Sequence, residues 1–438
     1  MSIKLPPELT PLSSVTGEQL EHYLPYARLV DERGRYMPWD EFRHRVNKGD
    51  DQVLAWSFTR RARAFASQFI DYENESGQRA GFNTTASMNE TCERVDKSGT
   101  TQALRQQEER LQGTGAALIP LELDEAITSS QLEGANTTTR VARSMLESGR
   151  KPRTESEQMI VGNARLMAEI SEHLDEPLSI SLIRHLHAVG MEGIDDSKYM
   201  PGQFRDSDDI VIADYDGNIV HQPPQAANII ERLENVCSWI NSDAGSYVHP
   251  LLRACILHFM VAHEHPFRDG NGRTSRALFY WYLLKSGYEA FRFISISNLL
   301  YAAPVKYARS YQYTETDGMD LTFFLEYQLS IIRRALDNLY HHIDALVTRR
   351  TSLDIMLFKS GALQRLTQRQ IALVNIMLAA PGKEFTASEV SQKMGVSDNT
   401  ARNDLRALVR EKLSEEHKTN GQQTVYIAVN KPVRIASN

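Results

Sequence analysis

The chain has 438 residues, of which 41% are hydrophobic and 24% are charged, and its formal net charge is −7. This composition is typical of a soluble globular protein with a sizeable core, and the length fits about three domains. No apolar run approaches the roughly 18 residues of a membrane span, which excludes an integral helical membrane protein.

Two features of the sequence bear on where the protein works. Residues 1–10 lack the apolar stretch of a signal peptide. Cys92, Cys237 and Cys255 are too few and too scattered to indicate a disulfide framework or a zinc cluster. We therefore expect a cytoplasmic protein without membrane contact.

Residues 1–115 carry no recognisable chemistry. A helix is predicted over 51–72, and a polar stretch with little periodicity follows over 73–101. We expect this region to be an N-terminal helical extension that packs on the core and carries a mobile loop.

Helical periodicity dominates the next part of the chain, which we take as one domain over 116–345. Helices are predicted at 121–133, 154–173, 179–190, 225–241, 248–264, 273–286 and 321–342. Within 202–222, two short β-branched runs flank Asp216-Gly217, a strong hairpin signal. The predicted fold class is therefore an all-α core with one small β-hairpin.

Residues 265–276, with the sequence HPFRDGNGRTSR, are the most informative segment. Pro266 ends the preceding helix, so His265 lies at its exit, where an unperturbed pKa near 6.5 would let it take a proton from a hydroxyl group. Asp269 is a carboxylate suited to Mg²⁺ between phosphates. Considered alone, a histidine at a helix end is more often a cap or a core residue than a catalytic base. An Asp-Gly-Asn-Gly turn considered alone is more often a solvated turn than an anion site.

The second half of this segment favours anion binding. The glycines of the Asp-Gly-Asn-Gly turn at 269–272 let backbone amides approach an anion, and the turn opens directly into the next helix. Arg273 and Arg276 share a face of that helix and can hold further phosphate oxygens. Taken together, the twelve residues predict a phosphate site.

The segment resembles the Fic signature H-x-F-x-[DE]-G-N-G-R-x-x-R at every specified position. Most Fic proteins transfer AMP from ATP onto a hydroxyl side chain of a target protein and release pyrophosphate. The resemblance implies that His265 is the general base and Asp269 the Mg²⁺ ligand. The implied ATP contacts are Arg268, Asp269, Gly270, Asn271, Gly272, Arg273 and Arg276.

A second motif lies N-terminal to the signature. Residues 129–134 read SSQLEG and resemble the Fic inhibitory motif [ST]-x-x-x-E-[GN] through Ser129, Glu133 and Gly134. In the family this glutamate engages the second signature arginine, here Arg276, and denies it to the outermost phosphate of ATP. The alternative is an ordinary exposed glutamate on a helix.

Two further resemblances concern ligand contacts. Gly202 and Arg205 match the G-x-x-R that precedes the Fic flap, a hairpin that pairs with the target backbone; here its contact residues are Ile210, Val211 and Ile212. Tyr307 and Tyr311 lie where family members contact adenine. The alternatives are a purely structural hairpin and a core aromatic pair.

The C-terminal residues 361–432 form a separate predicted domain. Helices over 368–378, 386–394 and 397–412 precede two strands, 413–417 and 424–429, around Asn420-Gly421. This order resembles the winged-helix domains of bacterial transcriptional regulators. The expected DNA contacts are Arg402, Arg406 and Arg410, spaced by four on one helix face; docking of a protein is the alternative.

Two classes of function remain open. In the first, the protein is a self-inhibited AMP transferase that uses ATP and Mg²⁺ on a hydroxyl-bearing target protein or on itself. In the second, it is a DNA-binding regulator whose Fic core senses nucleotides, although His265 would then have no role. Removal of AMP through Glu133, transfer of another phosphate-containing group and a homodimer are compatible with the sequence.

Overall fold

The computed structural model describes residues 3–112, 118, 120–194, 196–213, 217, 219–242, 245–359, 361–379, 382–418 and 424–429. Contacts divide the chain into two compact units. The first comprises Met1–Thr101 and Pro120–Leu336, and the second comprises Gln102–Ile119 and Asp337–Asn438. Among the described residues, no helix combines the length and the apolar character that a membrane crossing requires.

The first unit is mainly helical, with two small antiparallel sheets. Its helices are α1 Gly17–Tyr23, α2 Trp39–Phe42, α3 Gln52–Ala66, α4 Ala86–Ser98, α6 Glu122–Leu132, α7 Thr139–Ser148, α8 Glu155–Glu172, α9 Ile180–Met191, α10 Asp196–Tyr199, α11 Ile229–Asn241, α12 Pro250–Glu264, α13 Asn271–Lys285, α14 Ile296–Tyr301, α15 Pro304–Thr316 and the first part of α16 Thr322–Lys359. Its strands are β1 Gln68–Glu73, β2 Arg79–Phe82, β3 Ile212–Ala213 and β4 Ile219–His221. The predicted mostly helical core is confirmed.

Helices α12 and α13 form the centre of this unit and are buried on nearly every face. Pro250 opens α12, because its fixed φ suits the first helical position, and the His249 side chain accepts a hydrogen bond from the Leu251 amide. The helix ends at Glu264, and His265 follows in the left-handed region at φ 45°. Helix α12 is apolar on nearly every side and must therefore be buried, and this burial fixes the start of the segment 265–276.

The N-terminal region differs from the sequence prediction in two places. The helix predicted over 51–72 ends at Ala66, because residues 68–73 alternate between exposed and buried positions and pair as β1 with β2. The polar stretch 73–101, whose sequence shows little periodicity, contains α4. Thr85 caps this helix, and the buried side chains recur at helical spacing: Met88, Thr91, Cys92 and Val95.

The second unit has its own apolar core. Its elements are α5 Thr101–Leu111, the C-terminal part of α16, α17 Gln368–Ala379, α18 Ala387–Met394, α19 Asp398–Arg410, β5 Ser414–Lys418 and β6 Thr424–Ala428. Helix α16 continues to Lys359, well past the predicted end at 342. Ser397 caps α19 as expected, and β5 pairs antiparallel with β6. The predicted Asn420-Gly421 turn lies outside the described residues.

A close contact between Gly162 and Gly190 sets the separation of α8 and α9. Helix α9 also carries His187, which belongs to the candidate site. A Cβ atom added at Gly162 would collide with the backbone carbonyl oxygen of Gly190. Backbone atoms cannot move aside as a flexible side chain can, so the two helices approach only because residue 162 is glycine.

We predict that Gly162→Ala lowers the free energy of unfolding by about 1–3 kcal/mol, the usual cost of overpacking a core. The matched control is Gly17→Ala, since a Cβ atom at Gly17 would meet nothing within 4 Å. The control should be neutral or stabilising by up to about 1 kcal/mol. Urea unfolding followed by circular dichroism measures both, and equal midpoints for the two variants would contradict this packing.

Candidate active site

His265 is held at the end of α12 by backbone contacts. Its amide donates a hydrogen bond to the Val261 carbonyl oxygen (3.2 Å), and its own carbonyl oxygen accepts one from Arg205 Nε (3.0 Å). Arg205 is buried and also binds the carbonyl oxygens of Ser207 and Pro224. The predicted G-x-x-R arginine therefore ties the base of the β3–β4 hairpin to the histidine loop.

The environment of His265 favours the neutral imidazole. Burial, together with the nearby His221, lowers the pKa of His265 to about 4, whereas the Glu133 carboxylate acts in the opposite direction. A group with this pKa is unprotonated at neutral pH and so able to accept a proton. The site therefore holds an uncharged base, part of whose surface stays accessible.

The glycine-rich turn is closed by its own asparagine. Asn271 Oδ1 accepts a hydrogen bond from the Phe267 amide (2.9 Å), and Asn271 Nδ2 donates one to the Phe267 carbonyl oxygen (2.7 Å). Gly270 has φ 77°, a conformation that glycine adopts without strain. The side chain of Asn271 thus shapes the loop, while α13 begins at this residue and turns its first amides outward.

His187 on α9 supports this turn, and the sequence analysis missed it. Its ring stacks on Phe267 with centroids 3.6 Å apart, and Nδ1 accepts a hydrogen bond from the Gly202 amide (2.9 Å). Nε2 therefore carries the proton and donates to the Asp269 carbonyl oxygen (2.9 Å). Burial lowers the pKa of His187 to about 4. The available signal was a histidine next to apolar residues of a predicted helix, but His185 lies two positions earlier in the same helix, so the sequence did not single out His187.

Arg273 is a buried cation with unused donors. Its Nη2 lies 3.0 Å from Met191 Sδ and 3.7 Å from Asp269 Oδ2. Nε and Nη1 have no hydrogen-bond partner among the residues that the structure describes. Because a buried guanidinium without full pairing is costly, this arginine is suited to receive an anionic ligand.

Arg276 is paired through Nε and Nη2, in contrast to Arg273. Its Nε donates to Ser129 Oγ (2.9 Å), and its Nη2 donates to the Ser129 carbonyl oxygen (3.1 Å) and to Glu133 Oε1 (2.7 Å). Burial alone would lower the pKa of Arg276, but Glu133 raises it above its usual value. The structure thus brings the SSQLEG segment, at the end of α6, onto the second arginine of 265–276.

The carboxylate of Glu133 also lies over the start of α13. A Cβ atom added at Gly272 would collide with Glu133 Oε1 and would lie 3.0 Å from Arg276 Nη1. The first turn of a helix attracts anions through its free amides and its dipole. Glu133 therefore occupies a position at this helix start that a phosphate group would also favour.

A cavity of about 230 Å³ opens beside these residues. Its lining includes His265, Gly272, Arg276 and Glu133, together with the predicted adenine contacts Tyr307 and Tyr311 and the hairpin residues Ile212 and Val220. The Tyr307 hydroxyl lies 2.9 Å from His258 Nε2 and 3.2 Å from the Tyr311 hydroxyl. The aromatic pair and the signature residues therefore share one cavity.

The remaining predicted residues lie elsewhere. Arg268 Nη2 binds Asp206 Oδ1 (2.7 Å) at the base of the hairpin, and Val211 is exposed while Ile210 is half-buried. A larger polar cavity of about 440 Å³, between β1 and α11, contains none of the signature residues. The three arginines predicted to contact DNA are exposed on α19 of the second unit: Arg402, Arg406 and Arg410.

Comparison with known proteins finds a family match over the segment 265–276. Residues 177–283 match the Fic/DOC family. The protein adenylyltransferase Fic of Drosophila virilis is 33% identical over 164 residues, which cover 36% of this chain and 32% of that protein. The corresponding protein of Drosophila melanogaster is 32% identical over 164 residues, covering 36% of this chain and 31% of that protein.

The chain thus spans about a third of the length of these curated relatives. Among solved structures, Fic-1 from C. elegans aligns over 59% of this chain and 71% of that chain, with 20% identity and a TM-score of 0.44.

We predict that His265 stays neutral between pH 5.5 and pH 8, because a pKa of about 4 leaves it protonated only in stronger acid. Proton NMR titration of histidine-labelled protein, assigned with His265→Ala, measures this. His173 is the internal control, since a hydrogen bond to Glu176 raises its pKa above 6.5. A His265 midpoint between pH 6 and pH 7 would contradict the proposed environment.

Proposed function

We propose that this chain is a Fic-type protein adenylyltransferase, which moves AMP from ATP onto a hydroxyl side chain and releases pyrophosphate. The observation that carries the proposal is the shared cavity, where a neutral histidine, a helix start and a buried arginine meet. A base for the hydroxyl and cationic groups for the phosphates are the two requirements of this transfer.

His265 supplies the base in this proposal. The target hydroxyl oxygen attacks the α-phosphorus of ATP, the bond to pyrophosphate breaks, and the hydroxyl proton passes to the imidazole. The low pKa of His265 ensures that the ring is unprotonated at neutral pH, although it also makes the ring a weaker base. Catalysis therefore depends mainly on positioning and on stabilisation of the phosphates.

The phosphates are proposed to bind at the start of α13. The free amides near Gly270 and Gly272 bind one phosphate group in this proposal. Arg273 binds further phosphate oxygens, because its Nε and Nη1 donors have no partner among the described residues. The Asp269 carboxylate is one-third exposed and fits a Mg²⁺ ion, which takes one or two carboxylates along with phosphate oxygens and neutralises their charge. Contact of Arg268 with ATP would require its pair with Asp206 to open.

In this proposal, adenine binds in the same cavity and the target segment binds at its mouth. Tyr307 and Tyr311 form an aromatic wall, which suits a purine ring. Ile212 and Val220 belong to the two-stranded hairpin at the mouth. An edge strand there can bind an extended target segment through its backbone without reading much sequence.

Glu133 is proposed to inhibit the transfer from within the same chain. It holds Arg276 through a charge-assisted hydrogen bond and lies over Gly272, where an outer phosphate of ATP would sit. ATP can then bind with its phosphates misaligned for in-line attack. Inhibition by this arrangement requires no partner protein.

We predict that Glu133→Gly raises AMP transfer at least about tenfold, equivalent to ~1.4 kcal/mol of barrier, because Arg276 becomes available to ATP. Labelling of a cell lysate and of the chain itself with radioactive ATP measures the rate. Gln131→Gly is the matched control, since it also places glycine near the end of α6 but leaves the Glu133–Arg276 pair intact.

Three outcomes separate the alternatives. Adding His265→Ala to the activated variant should abolish transfer while ATP binding persists, because the phosphate contacts lie in residues 269–276. Equal rates for parent and Glu133→Gly would refute the inhibitory role. A lower rate in the variant would point to Glu133 as a catalytic group for removal of AMP.

The C-terminal unit suggests a second activity, binding of duplex DNA. Helices α17 to α19 and the β5–β6 pair have the order of a winged helix, which we propose this unit to be. On α19, Leu405 and Leu408 are buried while Arg402, Arg406 and Arg410 are exposed, so the arginines lie away from the core. Residues 361–438 contain 11 Lys and Arg against 7 Asp and Glu, although the whole chain is acidic.

We predict that replacing Arg402 and Arg406 together by Gln weakens DNA binding and flattens its log–log salt dependence by about two units, since each phosphate contact adds roughly 0.9. Gel-shift titration at two salt concentrations tests this. The charge-matched control replaces Arg365 and Lys383, which pair with Glu411 and Glu389. If the parent binds no duplex at low salt, DNA binding is wrong and protein docking is favoured.

A further inference from the structure

A cluster of potential metal ligands lies in the wall of the same cavity. His221 from β4, His263 from α12 and Glu315 from α15 each offer a ligand atom, and the three atoms lie within 4.8 Å of one another. All three residues line the cavity beside His265. The cluster is separate from Asp269, the proposed magnesium ligand.

One nitrogen of His221 is fixed by the backbone. Its Nε2 donates a hydrogen bond to the His263 carbonyl oxygen (2.8 Å). Its Nδ1 lies 2.7 Å from Glu315 Oε2, so this nitrogen faces the cluster. The carbonyl contact therefore orients the ring with Nδ1 directed toward Glu315.

A buried chain of hydrogen bonds orients His263 in the same way. Arg232 binds both carboxylate oxygens of Glu264 (2.7 and 2.8 Å), and the Tyr72 hydroxyl donates to Glu264 Oε1 (2.5 Å). A phenol is protonated at neutral pH, so the Tyr72 hydroxyl is the donor in its contact with the Glu264 carboxylate.

The consequence for His263 follows from the direction of these bonds. Because the Tyr72 proton is committed to Glu264, the Tyr72 oxygen must accept from His263 Nδ1, which lies 2.7 Å away. The proton of His263 is thus fixed on Nδ1, and Nε2 keeps a free lone pair. Metal-ligating histidines typically donate their other ring N–H to such an outer partner.

We propose that His221, His263 and Glu315 form a binding site for a zinc-type divalent cation. Two imidazoles and a carboxylate are a common Zn²⁺ ligand set, and the adjoining cavity leaves a fourth position for water. Ligand atoms around a tetrahedral ion lie about 3.3 Å apart. The His221 and Glu315 atoms, now 2.7 Å apart, must therefore separate by less than ~1 Å, and the pairs that lie up to 4.8 Å apart must approach by up to ~1.5 Å. The ion replaces the proton that these two side chains share, and that proton leaves to solvent.

A bound ion would join three elements around the cavity. Without it, the hydrogen-bonded pair of His221 and Glu315 links β4 to α15. With it, the hairpin strand, α12 and α15 share one centre, which fixes the hairpin at the mouth of the cavity beside His265. The site thereby couples occupancy by a metal to the position of the hairpin.

A second histidine cluster provides the control. Glu169, His173 and His185 on α8 and α9 also bring ligand atoms within 4.8 Å of one another. His185 is exposed, and His173 Nδ1 is bound to Glu176 rather than to a buried outer network. Removing His185 leaves the cavity cluster untouched and eliminates this competing site.

The test measures Zn²⁺ binding to the full chain carrying His185→Ala, by equilibrium dialysis with metal analysis. We expect one bound Zn²⁺ per chain. Adding His221→Ala or Glu315→Gln should weaken binding at least tenfold, and Tyr72→Phe should weaken it by about 10–100-fold, the usual effect of losing an outer partner. Thermal unfolding shows whether each variant is folded. It also shows whether Zn²⁺ raises the transition temperature of the variant.

Several results would overturn the site. Loss of all Zn²⁺ binding in His185→Ala would assign the metal to the α8–α9 cluster. Unchanged affinity in both His221→Ala and Glu315→Gln would show that these side chains do not bind it. If His221→Ala does not fold, Glu315→Gln and Tyr72→Phe serve as the test. Unchanged Zn²⁺ affinity in both of these variants would also contradict the proposal.

Discussion

The central constraint in this structure is the buried guanidinium of Arg276. A buried cation must be paired, and removing one partner of a buried pair typically costs about 3–5 kcal/mol. Here Ser129 and Glu133 provide that pairing through three hydrogen bonds. An anionic ligand can take over only by supplying equivalent acceptors, so Arg276 is a point at which the chain itself and a nucleotide compete.

Other parts of the first unit hold Arg276 and Glu133 in the positions where the chain and a nucleotide would compete. Helix α13 holds Arg276 and also presents Gly272, above which the Glu133 carboxylate lies. The turn that begins α13 is closed by Asn271 and braced by His187. The proposed inhibitor, base and phosphate contacts therefore depend on one helix junction, α12 to α13. The proposed zinc site adds a second control, since it acts on the hairpin rather than on Arg276.

The sequence predicted the local features of this junction well, because Pro266 and the glycine turn act on their immediate neighbours and the apolar period of α12 is strong. It also placed SSQLEG on a helix near the signature. Features that depend on distant residues were missed or misassigned. The roles of His187 in the turn and of Asp206 beside Arg268 arise from contacts across many residues. The β1–β2 pair is instead a local hairpin, and the predicted helix overran it because the alternation of residues 68–73 is too short to stand out from the helical period before it.

The most direct test of this account compares the affinities for ATP and ADP in the parent chain and in Glu133→Gly, by calorimetry with Mg²⁺. If Glu133 withholds Arg276, the outermost phosphate adds little to binding in the parent, and the two nucleotides bind about equally. Freed Arg276 should then favour ATP at least about tenfold in the variant, since a charged hydrogen bond contributes roughly 1.5–3 kcal/mol. The same ATP to ADP ratio in both proteins would contradict the competition for Arg276.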